Sequence, residues 1–87
     1  MHIVYILKSK KLENKTYIGL TSDLERRLVE HNRSASGYSR IYAPWEILTY
    51  ITFTDEKLAN SFEKYLKSGS GQAFLRKRLI PEISKKK

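Results

Sequence analysis

Two runs of β-branched and aromatic residues lie close together near the start of the chain, His2–Lys8 (HIVYILK) and Lys15–Leu20 (KTYIGL). Only a polar turn, Lys10–Lys15 with Asn14, separates them. A parallel pair needs a crossover of about a dozen residues or more, so these two strands must form an antiparallel hairpin. Alternation puts Ile3, Tyr5 and Leu7 on one face of the first strand and Val4 and Ile6 on the other. Both faces are apolar, so the sheet has to be covered on both sides. The chain has 87 residues of which 40% are hydrophobic, material for one packed core but not for two. At this size folding buries roughly 60–65% of the unfolded chain's surface.

The cover is legible downstream. Ser22-Asp-Leu-Glu25 matches a capping box, with Ser22 as N-cap and Glu25 at N3, and predicts a helix to about Asn32 with Leu24 and Leu28 inward. Arg33–Pro44 reads as a loop, because Ser, Gly and Pro dominate without a period. Trp45–Phe53 is a third strand opening just after Pro44. Thr54 or Asp55 caps a second helix to about Lys67, with Leu58, Ala59, Phe62, Tyr65 and Leu66 as its apolar stripe. Ser68–Gly71 breaks it, and Gln72–Leu79 predicts a short basic helix stopped by Pro81. The expected fold is α/β (α+β): a small three-stranded antiparallel sheet flanked by helices in the order β-β-α-β-α-α. The expected domain spans 1–80, followed by a basic C-terminal tail at 81–87.

Charge narrows the function. From Lys64 onward eight basic residues face one acid, Glu82, a net of +7 within a total of +8. The cluster Lys64, Lys67, Arg76, Lys77 and Arg78, accompanied elsewhere by Tyr and Trp, is expected to bind nucleic acid; a solubilising tail is the alternative, above all for Lys85–Lys87. Arg33, Tyr38, Arg40 and Tyr42 alternate cation and aromatic in the loop, which suits phosphate contacts with base stacking, or an ordinary solvated loop. Without cysteine, disulfides, thiolate zinc and thiol catalysis are excluded, and two histidines cannot build a multi-histidine metal cage. The run Ile3–Leu7 is far below the ~20 residues of a membrane span. No secretory signal pattern is present, so the expectation is a soluble, cytoplasmic, monomeric protein with no membrane partner.

The hairpin also carries chemistry. Tyr5 and Tyr17 are equidistant from a turn near Lys11 and can sit opposite or diagonal on one face. They are either packing aromatics or a hydrogen-bonded phenol pair with one member poised to take a proton from water. Gly19 follows on the same face, where a strand glycine marks close approach by a backbone or ligand. Arg27 and His31 are four apart on the first helix and share a face. A guanidinium matches phosphate oxygens, and an imidazole titrates near neutrality; His31 as a helix histidine bonded to a backbone carbonyl is the plainer reading. Glu63 sits about 100° around the second helix from the centre of the apolar stripe, beside Ala59, at the border of the core. It is either a surface carboxylate or a hard oxygen ligand suited to Mg²⁺.

Val4-Tyr5-Ile6 and Tyr17-Ile18-Gly19, then Asp23-Leu24-Glu25-Arg26-Arg27-Leu28, His31-Asn32 and Phe62-Glu63-Lys64, resemble the GIY-YIG nuclease signature. The resemblance extends to about Leu79 and is greatest to the small stand-alone branch of that family, with Val4 in place of the leading Gly. It implies hydrolysis of phosphodiester bonds in nucleic acid, DNA foremost, by an endonuclease using one divalent cation, Mg²⁺ or Mn²⁺. It makes Tyr5 and Tyr17 the paired tyrosines, with Tyr5 activating water. Arg27 becomes the contact to the scissile phosphate and Glu63 the metal ligand. Larger members carry an asparagine about a dozen residues beyond that glutamate; this chain has Leu75 there, with Gln72, Ser68 or Ser70 as stand-ins. A catalytically weak nucleic-acid-binding module and a basic protein-interaction domain remain as alternatives.

Overall fold

A computed structural model describes residues 1–12, 14–33 and 37–79. The tail at 81–87 lies outside the described residues. Strands β1 (His2–Ser9), β2 (Thr16–Thr21) and β3 (Trp45–Phe53) form one antiparallel sheet in the order β2-β1-β3. Helices α1 (Leu24–Asn32), α2 (Gly37–Ile41), α3 (Glu56–Leu66) and α4 (Gly69–Phe74) follow, α4 running into a π-type turn at Leu75–Leu79. The predicted order holds, with α2 added inside the segment read as a loop.

The alternation in β1 divides the interior into two layers. Val4 and Ile6 pack with Ile18, Ala59, Leu66 and Leu75 beneath α3. Tyr5 and Leu7 pack with Trp45, Tyr17, Leu24 and Leu28 beneath α1. The sheet is thus covered on both faces, as two apolar faces require. Leu58, placed on the apolar stripe from its spacing, is instead 58% exposed, because Ala59 and Leu66 take the centre of the contact.

Three boundaries differ from expectation for local reasons. β2 continues through Thr21, whose Oγ1 accepts from the Asp23 amide, and this makes Asp23 rather than Ser22 the N-cap of α1. The Asp23 carboxylate accepts from the Arg26 amide at 3.2 Å, and Asp55 caps α3 in the same manner. Ser68 does not end the helical region but starts a new helix: its Oγ accepts from the Gly71 amide while donating to the Tyr65 carbonyl. That tight junction requires Gly71, since a Cβ there would strike the Tyr65 carbonyl.

Trp45 ties the α1–α2–β3 region together. Asn32 Oδ1 accepts from the Trp45 amide at 2.6 Å and its Nδ2 donates to the Trp45 carbonyl. The indole Nε1 donates to the Ser39 carbonyl at 2.9 Å. These bonds fix the end of α1 and the short α2 against the start of β3.

Candidate active site

The site grows from the hairpin register. Tyr5 pairs with Gly19 and Leu7 with Tyr17, so the two tyrosines are diagonal rather than directly opposite. Their rings stack with centroids 6.3 Å apart at 15°. Of the two readings, packing aromatics is the one that holds here: the Tyr5 hydroxyl is directed not to Tyr17 but to His31 Nε2 at 3.0 Å. Gly19 supplies the close approach anticipated for it, though the neighbour is a side chain. A Cβ at Gly19 would overlap the Tyr5 hydroxyl and ring.

His31, on the last turn of α1, is buried and sits between the tyrosines, its ring 4.3 Å from that of Tyr17. It is not bonded to a backbone carbonyl; its second nitrogen, Nδ1, is 2.8 Å from Ser39 Oγ. Burial and the nearby Arg27 charge push the imidazole below its ordinary 6.5, so it is neutral at pH 7. Burial pushes the Tyr5 phenol above its ordinary 10.0, while hydrogen bonding from the Arg27 guanidinium pulls the other way. Arg27 is held at the rim by Glu30, its Nη1 2.9 Å from Oε1, and stays half-exposed.

Glu63 comes from α3, on the opposite face of the sheet, yet its charge is felt at the Tyr5 phenol. The two layers meet along the open edge of β2, where a cleft of about 460 Å³ is lined by Lys15, Thr16, Tyr17, Tyr38, Lys67 and Gln72 among others. The Glu63 side chain is 19% exposed, and its Oε2 already engages a cation, the Lys67 ammonium at 3.0 Å. A lone carboxylate that draws a cation to itself fits a hard divalent ion. Among the described residues no three carboxylate or imidazole side chains gather, so such an ion would keep most of its waters, as Mg²⁺ does. Of the three stand-ins for the missing asparagine, Gln72 alone is among the cleft residues; its Nε2 donates to the Leu66 carbonyl at 2.7 Å.

The remaining basic candidates lie elsewhere. Arg33, Arg40, Lys64, Arg76, Lys77 and Arg78 are all exposed and outside the Tyr5–His31 network. The loop aromatics are not free platforms. Tyr38 stacks on Trp45 at 5.8 Å and donates its hydroxyl to the Thr16 carbonyl, and Tyr42 packs edge-on to Tyr38. Ser39 was missed in the sequence, because a serine eight residues beyond a histidine carries no signal until α2 folds back.

The family profile described as the GIY-YIG catalytic domain matches residues 1–77. A UPF0213 protein of Clostridium perfringens is 35% identical over 68 residues, covering 77% of this chain and 71% of that protein. The structure-specific endonuclease subunit SLX1 of Malassezia globosa is 36% identical over 62 residues, 68% of this chain but only 14% of that protein. Its Talaromyces marneffei counterpart is 38% identical over 65 residues, 68% of this chain and 17% of that protein. The solution NMR structure of a UPF0213 protein from Bacillus halodurans superposes with a TM-score of 0.55 at 26% identity, covering 94% of this chain and 89% of that one. Family profile, relatives and fold converge: the chain belongs to the GIY-YIG catalytic-domain family, a family of nuclease domains.

Proposed function

We propose that this chain is a metal-dependent endonuclease that hydrolyses phosphodiester bonds in DNA, with Mg²⁺ or Mn²⁺ held by Glu63. The observation that carries the reading is the buried hydrogen bond between the Tyr5 hydroxyl and His31 Nε2, with Arg27 bearing on the same phenol. A phenol raised above 10.0 is no phenolate at neutral pH, so the neutral imidazole is the base that ends the relay. As water gives its proton to Tyr5 Oη, the Tyr5 proton passes to His31 Nε2. The resulting hydroxide attacks phosphorus, the bond to the leaving oxygen breaks, and solvent protonates that oxygen. Arg27, at the rim, turns from Glu30 to the phosphate, which opens the path to the phenol and stabilises the pentavalent transition state. The cation, when bound, offsets charge on the phosphate and on the leaving oxygen. Tyr17 orients Tyr5 by stacking on it and packs its tilted ring against His31.

The relatives named as structure-specific endonuclease subunits guide the choice of test substrates. A panel of labelled duplex, nicked, branched and single-stranded nucleic acids, with and without Mg²⁺, is expected to show metal-dependent cutting of a DNA member. Glu63→Gln should remove cutting while binding remains; Mg²⁺-dependent cutting retained in that variant would overturn the metal assignment.

A further inference from the structure

The relay uses one nitrogen of His31 and leaves open why the other lies against Ser39. Proton accounting answers this. Tyr5 is 0% exposed, so its hydroxyl proton has no water to go to. Its hydrogen-bond partner among the described residues is His31 Nε2 at 3.0 Å, and the Arg27 guanidinium, whose charge bears on the phenol, can only donate. Buried donors are nearly always paired because an unpaired one is costly, so the phenol donates to Nε2 and Nε2 carries no proton. The single proton of the neutral ring is then on Nδ1, and Ser39 Oγ, 2.8 Å away, accepts it.

We propose that Ser39 is the positioning residue of this site: its hydroxyl oxygen holds His31 as the Nδ1–H tautomer, whose bare Nε2 faces Tyr5. The role rests on the reading of His31 as the final proton acceptor. It corresponds to the third group that orients the base in a nucleophile–base pair, here with a neutral hydroxyl rather than a carboxylate. The local structure is built for it. The Ser39 carbonyl is pinned by Trp45 Nε1, the Trp45 backbone is clamped by Asn32, and neighbouring Tyr38 is stacked on Trp45 and anchored to Thr16. The titratable groups facing His31 are Tyr5 from β1, Tyr17 from β2, and Arg27 and Glu30 from α1. Trp45 of β3 brings no charge.

The test uses the full chain with His2→Gln, so that a single imidazole reports. Nitrogen NMR of His31 is expected to show the Nδ1–H tautomer in the parent chain. An acceptor at Nδ1–H favours the imidazolium, so Ser39→Ala should lower the His31 pKa and mix the tautomers. Ser39→Asp should raise it above the parent, and Ser39→Thr should restore parent behaviour. The acid limb of the cleavage profile should move with it, and Ser39→Ala should cut about tenfold more slowly at pH 7, a fraction of what a general base contributes. An Nε2–H tautomer in the parent, a reading that needs no substitution at Ser39, would overturn the role of Ser39. So would Ala and Asp shifts of the same sign. Wild-type cutting by His31→Gln would instead overturn the underlying reading of His31.

Discussion

The Tyr5 hydroxyl answers to burial, to Arg27 and to His31 at once, so its removal has both a structural and a chemical consequence. Tyr5→Phe leaves His31 Nε2 buried without a donor and should lower stability by about 1–3 kcal/mol, read as a lower melting temperature. Nucleic-acid affinity should remain, and cleavage should fall 10²-fold or more, on the order of a lost general base. Tyr17→Phe should hurt less, because the stacked ring survives. Equal, wild-type cutting by both variants would reduce the pair to sheet packing. The same two groups set a pH window for folding. The folded pKa of His31 lies below its ordinary 6.5, so the unfolded chain binds more protons between the two values. That contribution is present above pH 6.5 and is lost as pH falls through the folded value. The Tyr5 contribution has the opposite sense, present below pH 10.0 and lost as pH rises through the raised value. Thermal melts between pH 5 and 7.5 should show a slope that His31→Phe flattens.

Helix α3 serves the site through two residues one turn apart. Glu63 and Lys67 form an i, i+4 pair with the ammonium half-exposed, a geometry that contributes only about 0.3–0.5 kcal/mol. The pair therefore yields readily to a divalent ion but competes with it. Lys67→Met should tighten Mn²⁺ binding to the free protein about two- to fivefold, the size of one weak surface ion pair. Titration followed by electron paramagnetic resonance measures this without nucleic acid, and unchanged affinity would show that Lys67 does not contend for the carboxylate. Directly after Lys67, the Ser68 cap and the Gly71 approach turn α4 back sharply. Gly71→Ala should cost about 1–3 kcal/mol through overpacking against the Tyr65 carbonyl, seen in thermal or denaturant unfolding.

Across the whole molecule the charge is lopsided, and the basic π-type turn, with Arg76, Lys77 and Arg78 all exposed, is anchored by Leu75 and Leu79. Replacing the three cations with Gln should weaken binding to all sequences alike. The slope of log affinity against log salt should flatten by about one unit per lost phosphate contact. An unchanged slope would mark the segment as solvated charge. Because Leu75 stays in the core, the variant should fold with an unchanged melting temperature.

Periodicity and local chemistry in the sequence determined the hairpin, the third strand, both main helices and the two-sided cover of the sheet, because alternation, caps and apolar spacing act over a few residues. The motif residues Tyr5, Tyr17, Arg27, His31 and Glu63 were equally legible, each on the element expected for it. Only the tertiary structure decided their partners. The register placed the tyrosines one step off opposite, and the packing set the Tyr5 hydroxyl against His31 rather than against its neighbour. The folding of α2 onto Trp45 brought Ser39 to the imidazole, a contact between side chains with no sequence period to announce it. Glu63 and Tyr5 lie in different layers of the sheet, and the phenol has room in its layer because Gly19 has no side chain to fill the space it occupies. Such placements depend on packing between elements distant in the chain, which no local pattern encodes.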